Sequence, residues 1–409
     1  MKLLIGGSPC THWSIAQTKN RETEASGIGW ELFLNYRIAR DKYKPDYFLY
    51  ENNKSMSPAI RTQITAELGV EPVLINSALV SAQNRQRLYW VGRRNPDGTY
   101  SQVPVEQPED RGILLRDILE TGVAWSEKSY CITATEAKGS NPQQTLTKHR
   151  RTMVAEPIVV NGMKNGKGRT VDAHMGKLEN NLVPRINNPN QAKQQYDCIA
   201  EPVRIGTIEN DAKNPDHDSQ QYRVYSPDGK SVTLCGNGGG LGAKTGLYAT
   251  PIVGPDGKAW PVYEVRDGFI TIKGKRYPIK LRDGFYIIRK LTVRECMRLQ
   301  TVPEEYVFPV SNSQAYKMLG NGWTVDVIAH IMSHFTGLTE EPVEVLSMYD
   351  GMSCGHIALD KLGAEITAYY ATEIDKYAVQ TTQHNFPETI QLGDAFQVRD
   401  DDWRLGEEL

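Results

Sequence analysis

Residues 345–355 read VLSMYDGMSCG: an apolar run ends at an aromatic and an acidic residue, and glycine and serine follow before the next apolar segment. This order predicts a buried strand, a glycine turn and the start of a helix, which is the repeating unit of an α/β fold. At the carboxyl end of a parallel strand, such a turn lets a ligand approach the backbone closely. The spacing does not fit the G-x-G-x-x-G pattern of nicotinamide dinucleotide sites. We therefore expect a cofactor site that is not built for nicotinamide.

Two acidic residues follow the next predicted strands of this segment. Glu373 comes directly after a strand predicted at 368–372, and 18 residues after Gly355, a position suited to accept hydrogen bonds from ribose hydroxyls. Asp394 ends a further predicted strand, 389–392, where it can read the edge of an adenine. The carboxyl-terminal part therefore predicts a nucleoside site.

The amino-terminal part presents a cysteine in a similar way. A strand predicted at 2–5 ends in Gly-Gly-Ser-Pro, and Cys10 follows directly. An isolated cysteine is more often a buried structural residue than a reactive one. Here, however, Glu51 follows a second predicted strand, and alternation sends Arg85 and Arg87, just before a third strand predicted at 88–91, to the same side. We expect a reactive thiol beside a carboxylate and two guanidinium groups that contact an anion or a base edge.

The middle of the chain differs in composition. Residues 121–288 are rich in Gly, Asn, Pro, Gln and Thr, with short strand signals and four Asp-Gly turns. We expect a loop-rich, mostly β insertion. The glycine run 235–245 is not a phosphate-binding loop, because Ala243 interrupts the Gly-Lys-Thr order.

Composition narrows the class of protein. The 409 residues are 39% hydrophobic and 23% charged, and no apolar run reaches the ~20 residues that span a bilayer. The first residues lack a signal-peptide pattern, so we expect a cytoplasmic protein. The six cysteines are scattered without ligand spacing, and we expect neither a bound metal nor a disulfide framework.

Together these blocks resemble the C5-cytosine-specific DNA methyltransferases. The resemblance rests on the Pro-Cys block at 6–10, the Glu-Asn block at 51–53, the Gln83-x-Arg85-x-Arg87 block, residues 289–303, and Gly320-Asn321-Gly322 with the helix after it. Residues 349–355 are similar to the family's S-adenosylmethionine block, with Tyr349 where the family usually has Phe. Asn53 also departs from the usual Glu-Asn-Val. The similarity covers roughly 1–95 and 289–398.

The order of the blocks departs from the family. Family members begin with the cofactor blocks and end with the Asn321-type helix, whereas here the cofactor blocks come last. We interpret the chain as a circular permutant, in which a short segment such as 335–345 joins the two parts.

The resemblance implies a class I methyltransferase (Rossmann-like) α/β fold, with a mixed sheet and helices on both faces, and a mostly β target-recognition domain. We place one half of the methyltransferase domain at 1–100, the recognition domain at 101–288, and the remainder with the S-adenosylmethionine site at 289–409. The implied catalytic residues are Cys10, Glu51, Arg85, Arg87 and Gln83. The implied cofactor-binding residues are Tyr349, Asp350, Gly351, Gly355, Glu373, Ile374, Asp394, Ala395, Asn321, Trp323 and Pro9.

The implied activity is methyl transfer from S-adenosyl-L-methionine to C5 of a flipped-out cytosine in double-stranded DNA, leaving S-adenosyl-L-homocysteine. Cys10 would attack C6, Glu51 would bind N3 and the exocyclic amine, and Arg85 would bind O2. We expect a monomer in a bacterial cytoplasm, or in the host cytoplasm if a phage encodes it. Two alternatives stay open: a cytosine-C5 methyltransferase that acts on tRNA, and an inactive DNA-binding homologue.

Overall fold

A computed structural model describes residues 1–14, 21–138, 142–148, 151–158, 204–207, 223–225, 247–248, 262–403 and 405. For Cys10, Lys138, Gln144, Ile158 and the three short segments between 204 and 248, it describes the backbone alone. The glycine run 235–245 lies outside the described residues. No helix within these ranges has the length and apolar character needed to cross a membrane.

Strands and helices alternate in the parts on either side of the middle region. The strands are β1 Lys2–Gly6, β2 Tyr47–Asn53, β3 Pro72–Asn76, β4 Gln86–Arg94, β5 Tyr100–Gln102, β6 Met153–Ile158, β7 Arg204–Thr207, β8 Arg223–Tyr225, β9 Leu247–Tyr248, β10 Val262–Arg266, β11 Phe269–Ile272, β12 Lys275–Pro278, β13 Gly284–Lys290, β14 Val343–Met348, β15 Ile366–Thr372 and β16 Ile390–Gly393. The helices are α1 Gly27–Tyr43, α2 Pro58–Leu68, α3 Leu115–Ile118, α4 Pro142–Lys148, α5 Val293–Leu299, α6 Asn312–Asn321, α7 Val325–Met332, α8 Cys354–Leu362 and α9 Lys376–Asn385.

One eight-stranded sheet combines both ends of the chain. Its strands lie in the order β16-β15-β14-β1-β2-β4-β3, and β5 pairs with β4. The pairs from β16 to β2 are parallel, whereas β4 runs antiparallel to β2, β3 and β5. The predicted α/β fold with a mixed sheet is confirmed.

Helices cover both faces of this sheet. Leu3 and Ile5 of β1 belong to a buried cluster that includes α5 to α8, while Leu4 between them belongs to a second cluster with α1 and α2. Successive side chains of a strand point to opposite faces. The near-continuous apolar sequence of β1 therefore reflects burial on both sides.

Close packing of α8 against β1 depends on Gly355. A Cβ at this position would lie 2.2 Å from Cδ1 of Ile5. Any side chain would push the helix away from the sheet, so Gly355 sets how near the first turn of α8 comes to the central strand.

The predicted elements are mostly present, with two differences in extent. The apolar run at 47–50 predicts a strand that ends at Tyr50, but β2 continues to Asn53, so Glu51 lies within the strand. The apolar periodicity of 325–335 predicts a helix over that range, but α7 ends at Met332. Thr292, followed three residues later by Glu295, predicts a capping box at the start of α5, and the structure confirms it: the Thr292 hydroxyl accepts from the amide of Glu295 at 3.1 Å, and the Glu295 carboxylate accepts from the amide of Thr292 at 2.8 Å.

The chain divides into two compact units. The first comprises Met1–Glu156, Ile272–Leu281 and Arg289–Leu409. Residues 101–156 therefore lie in the same unit as the eight-stranded sheet, where the Lys128 ammonium donates to the carbonyl of Ala78 at 2.8 Å and to that of Ser81 at 3.2 Å.

The second unit comprises Pro157–Thr271 and Arg282–Ile288. In its described part, β10 pairs antiparallel with β11 and with β13, and β7 pairs antiparallel with β8. This part is built of short strands, as the composition of the region predicts.

Candidate functional site

A cavity of about 300 Å³ opens at the carboxyl ends of β1, β2, β14 and β15. It lies wholly within the first unit. Its lining includes ten of the residues predicted as site residues: Pro9, Glu51, Arg85, Arg87, Asn321, Trp323, Tyr349, Asp350, Gly351 and Glu373. The structure thus brings most of the two predicted groups, separated by about 300 positions in sequence, to one cavity.

Cys10 opens a short 3-10 turn, Cys10–His12, between two residues that line the cavity, Pro9 and Thr11. Its side chain lies outside the described residues. The turn before it is fixed by a buried network. The Ser8 hydroxyl lies 2.6 Å from the Tyr50 hydroxyl, and the Asn52 amide donates to the Ser8 carbonyl at 3.1 Å.

Glu51 is held between two donors. Nε of Arg87 lies 3.0 Å from its Oε1, and the indole N–H of Trp323 donates to its Oε2, also at 3.0 Å. A Cβ on Gly7 would come within 2.9 Å of Oε2 and of the Glu51 carbonyl oxygen. The glycine before the Pro-Cys block is therefore required for the close approach of this carboxylate.

Arg85 joins three parts of the first unit. Its guanidinium donates to the carbonyls of Gly320 at 3.2 Å and Gly322 at 2.8 Å, and to that of Ile132 at 3.1 Å. These contacts bury Arg85 to 3% exposure. Because its Nη1 and Nη2 hydrogens are directed at these acceptors and at Cys131, the side chain is held in one orientation at the cavity wall.

Gln83 does not line the cavity, but its hydrogen bonds support the wall that Arg85 forms. It is fully buried; its amide nitrogen donates to the Leu299 carbonyl at 3.2 Å, and its amide oxygen accepts from the Ile132 N–H at 2.8 Å. It therefore joins α5 and the segment after β5 to the residues that lead into β4, where Arg85 and Arg87 lie.

Cys131 reaches the same two arginines. Its sulfur lies 3.3 Å from Nη1 of Arg85 and 3.9 Å from Nη2 of Arg87. Burial alone would raise the pKa of this thiol, but the two guanidinium charges outweigh it, so the pKa is lowered. The pKa of Cys354, which also lines the cavity, is raised to about 12, chiefly by burial.

The turn after β14 has an unusual backbone. Tyr349, Gly351 and Ser353 have φ of 61°, 63° and 58°, in the left-handed region that costs a non-glycine residue of order 1 kcal/mol. The Tyr349 hydroxyl donates to the carbonyl of Leu32 at 2.7 Å, which anchors the turn to α1. Burial raises the pKa of the Asp350 carboxyl, which accepts a hydrogen bond from the Tyr369 hydroxyl at 2.9 Å.

The Glu373 carboxylate joins the turn after β14 to the residues that follow β15, in the wall of the cavity. Its carboxylate accepts from the amides of Gly351 at 2.9 Å, Ile374 at 2.8 Å and Asp375 at 2.7 Å. A carboxylate offers about four acceptor positions. Oε1 accepts two of these bonds and Oε2 one, so Oε2 retains acceptor capacity towards the cavity.

Four predicted cofactor-binding residues, like the predicted catalytic residue Gln83, do not line the cavity. Gly355 lies in the contact with β1 already described, and Ile374 is 76% exposed. Asp394 accepts from the Phe396 amide at 3.0 Å and so caps the 3-10 helix Ala395–Arg399, and Ala395 packs in the core with α1.

Sequence reasoning missed two contributors to the site. The Glu-Asn motif assigns Asn52 no role, although an asparagine beside a strand end is a usual source of structural hydrogen bonds, and Asn52 is fully buried. Cys131 gives no signal in the sequence, because its contact with Arg85 arises only once the segment after β5 folds back on the sheet.

The charges around Cys131 make a testable prediction about thiol reactivity. Among the described cysteines, we expect iodoacetamide to label Cys131 faster than the buried Cys296 and Cys354 in the folded protein, with a pH midpoint below the usual thiol value of about 8.5. Peptide mass spectrometry across a pH series measures it.

Arg87→Gln should move that midpoint to higher pH, because it removes a charge that stabilises the thiolate. Arg93→Gln, an exposed position on the same strand, is the matched control and should leave it unchanged. A midpoint for Cys131 above that of a free thiol would contradict the assignment.

Comparison with known proteins gives a consistent picture. Residues 1–336 match the family model described as C-5 cytosine-specific DNA methylase. The chain is 26% identical to an orphan methyltransferase of Bacillus phage rho11s and 25% identical to one of Bacillus phage SPR; the matches cover 80% of this chain in each case, and 83% and 81% of those proteins. A shorter match, 32% identical over 27% of this chain and 24% of the relative, is to the type II methyltransferase M.HhaI of Haemophilus parahaemolyticus.

Proposed function

We infer the function from a premise that the comparison establishes: the chain belongs to the C-5 cytosine-specific DNA methylase family, and it is a methyltransferase. We propose that it methylates C5 of a flipped-out cytosine at a specific short sequence in double-stranded DNA. The observation that carries the proposal is the single cavity lined both by the residues flanking Cys10 and by the turns that follow β14 and β15.

The chemistry requires a nucleophile because C5 of cytosine is a weak nucleophile in an aromatic ring. We propose that the Cys10 thiolate adds to C6, which forms a C6–S bond and raises the electron density at C5. After C5 has taken the methyl group, loss of the C5 proton to a base returns the electron pair to the ring, the C6–S bond breaks, and Cys10 is regenerated.

Glu51 and Arg85 would hold the base during this sequence. A carboxylate at N3 and the exocyclic amine favours the protonated intermediate, and the contacts from Arg87 and Trp323 orient it. For Arg85, Nε–H is the guanidinium donor without a partner among the described residues, so O2 of cytosine would bind there or displace Cys131 from Nη1.

The residues at the other end of the cavity fit S-adenosylmethionine. Glu373 retains an acceptor position for a ribose hydroxyl, and the strained turn at Tyr349–Ser353 exposes backbone to a ligand. Asn321, Trp323 and Pro9 would complete this wall. When bound, S-adenosylmethionine supplies an electrophilic methyl group on a sulfonium.

We propose that three residues outside the lining also bind the cofactor: Ile374, Asp394 and Ala395. They follow β15 and β16, beside the cavity rather than in its lining. We propose that Asp394 reads the adenine edge while Ile374, which is 76% exposed, covers the purine ring.

The order of the blocks supports a circular permutation. β14 and β15, which carry the cofactor turns, come last in the chain yet pair beside β1 at the middle of the sheet. The segment between α7 and β14 is short, from 333 to 342. A gene that places 343–409 before 1–336 through a flexible linker should therefore encode an active enzyme; an insoluble or inactive product would count against the permutation.

Residues 101–288 are proposed as the region that recognises the target sequence, since specificity requires contacts to base edges in a groove. We propose that the enzyme acts as a monomer on DNA in the cytoplasm of a bacterium, or of a phage's host.

A cytosine-C5 methyltransferase that acts on tRNA is the second candidate, because it would use the same catalytic blocks. The long insertion favours DNA, since a tRNA-acting relative would need a smaller one. Transfer of a labelled methyl group to duplex DNA compared with tRNA separates the two.

A change at the proposed nucleophile tests the mechanism. Cys10→Ala should abolish methyl transfer to DNA while S-adenosylmethionine still binds, because the change removes the atom that attacks C6 and leaves the cofactor wall intact. In the presence of S-adenosylmethionine, the wild type should also form a covalent adduct with a duplex containing 5-fluorocytosine, seen as a mass shift, because fluorine replaces the C5 proton whose loss releases Cys10. Methylation by the Cys10→Ala variant would refute the assignment, as would a wild type that methylates DNA but never forms the adduct.

Changes in the cofactor wall test where S-adenosylmethionine binds. Glu373→Gln should weaken S-adenosylmethionine binding by about ten-fold or more, because the amide replaces an acceptor with a donor and disturbs three backbone contacts. Asp394→Asn can still cap the 3-10 helix through its amide oxygen, so a loss of affinity there would report the proposed adenine contact. Calorimetric titration measures both, and the exposed Asp41→Asn serves as the control. Unchanged affinity in both site variants would place the cofactor elsewhere.

A further inference from the structure

Two segments of the chain, 12–13 and 21–22, contact each other close to Cys10, and we call this contact the neck. The amide of Glu22 donates to the carbonyl of His12 at 2.8 Å, so the two segments meet at a position two residues after Cys10. Arg21, next to Glu22, donates to the carbonyl of Trp13 at 3.2 Å. Hydrogen bonds to two successive backbone carbonyls therefore close the neck. Residues 15–20, between its two sides, lie outside the described residues.

The Glu22 side chain joins three elements at this neck. Its Oε2 accepts from the indole N–H of Trp13 at 3.0 Å, and its Oε1 accepts from the amide of Gly29 in the first turn of α1 at 3.2 Å. Nδ1 of His12 lies 3.6 Å from Oε1. One carboxylate therefore fixes two residues that follow Cys10 within three positions.

The Glu22 carboxylate also caps the N-terminus of α1, in place of the residue at the usual capping position. Ser26 stands at the N-cap of α1 but its side chain makes no capping hydrogen bond. A carboxylate at a helix N-terminus is favoured by the free N–H groups and the helix dipole. A Cβ on Gly27 or Gly29 would lie 2.6 Å from a Glu22 carboxylate oxygen, so these two glycines make the space that Glu22 occupies.

The segment around Glu22 is also tied to the strand that carries Glu51. Arg21 donates to the carbonyl of Ser55 at 2.5 Å, and the Ser57 hydroxyl donates to the carbonyl of Thr23. Ser55 and Ser57 follow β2 closely. The two neighbours of Glu22 in sequence are therefore bound to the segment after β2, while Glu22 itself is bound to the fully buried Trp13 after the Cys10 turn.

We propose that Glu22 is a positioning residue for methyl transfer: it sets the Cys10 turn relative to Glu51 by holding Trp13 and the first turn of α1. The proposal rests on the proposed function, since it assigns Cys10 as the nucleophile. It concerns the attack on the base and not the cofactor wall, because none of the residues that Glu22 contacts through its side chain lines the cavity.

Glu22→Gln tests the proposal with little change of shape. Both carboxylate oxygens accept from N–H donors, so the amide nitrogen of Gln must face one of these donors and lose that bond. We expect the single-turnover rate of methyl transfer to unmethylated plasmid DNA to fall by about ten-fold or more, because small misplacements of a reacting group are costly. The rate of adduct formation with 5-fluorocytosine duplex should fall equally, whereas S-adenosylmethionine affinity should stay within about two-fold. Glu24→Gln, an exposed position two residues away, is the matched control.

A double variant separates positioning from general destabilisation. Trp13→Phe removes the indole donor, so the Gln amide group can turn towards the vacant position without a clash. Glu22→Gln should therefore reduce the rate by a smaller factor when it is combined with Trp13→Phe than when it is made alone. Glu22→Asp, which keeps the carboxylate, should recover part of the loss.

The outcomes distinguish this proposal from the one on which it rests. If the wild type forms no adduct and methylates no DNA, the proposed function fails and Glu22 has no reaction to serve. If the wild type is active and Glu22→Gln matches Glu24→Gln, the positioning role is overturned. A loss of S-adenosylmethionine affinity in parallel with the rate would overturn it as well, since Glu22 would then act only on stability.

Discussion

The parallel pairing of β1 with β14 is the contact on which the site depends. Lys2 to Gly6 pair with Glu344 to Met348 in continuous register, so the two strands end side by side at Gly6 and Met348. The Cys10 turn and the strained turn at Tyr349 therefore leave the sheet at the same level, although they stand more than 300 residues apart. The two strands approach closely because Gly6 has no side chain: a Cβ there would lie 2.7 Å from the Met348 carbonyl oxygen. A one-residue slip of register would exchange the faces of every side chain on β1 and separate the two turns.

Three charged side chains, Glu51, Arg85 and Arg87, line the cavity at that edge of the sheet. Glu51 is paired with Arg87 and with the Trp323 indole, which hold its side chain in place at the wall that would bind the base. Arg85 is held by carbonyl oxygens from α6 and from the segment after β5, and those dipoles balance its charge, since no carboxylate among the described residues pairs with it. The wall can thus present one negative and two positive groups in fixed positions. Preorganised groups of this kind stabilise developing charge without having to reorganise during the reaction.

Much of this site could be predicted from sequence because its parts follow strand ends. Apolar runs that stop at Gly-Gly or at an acidic residue place Cys10, Glu51, Tyr349 and Glu373 at one edge of a sheet, and the structure brings these segments together. What sequence could not supply are contacts between segments that have no pattern in common. The indole of Trp323, grouped from sequence with the cofactor residues, donates to Glu51, and Cys131 contacts both arginines only because the chain after β5 returns to the sheet. The sequence also underestimates the extent of β2, because polar residues at 51–53 suggest a loop, whereas pairing with β4 keeps them extended.

The most direct measurement of the central claim is bisulfite or long-read sequencing of DNA from a bacterial host that expresses this chain. If the cavity joins a cytosine nucleophile to the methyl donor, one short sequence context should carry 5-methylcytosine at nearly every copy, and the host with the Cys10→Ala variant should show no such context. Equal methylation in the wild-type, variant and empty-vector hosts would contradict the account, because the protein would then fold around this cavity without acting on cytosine in DNA.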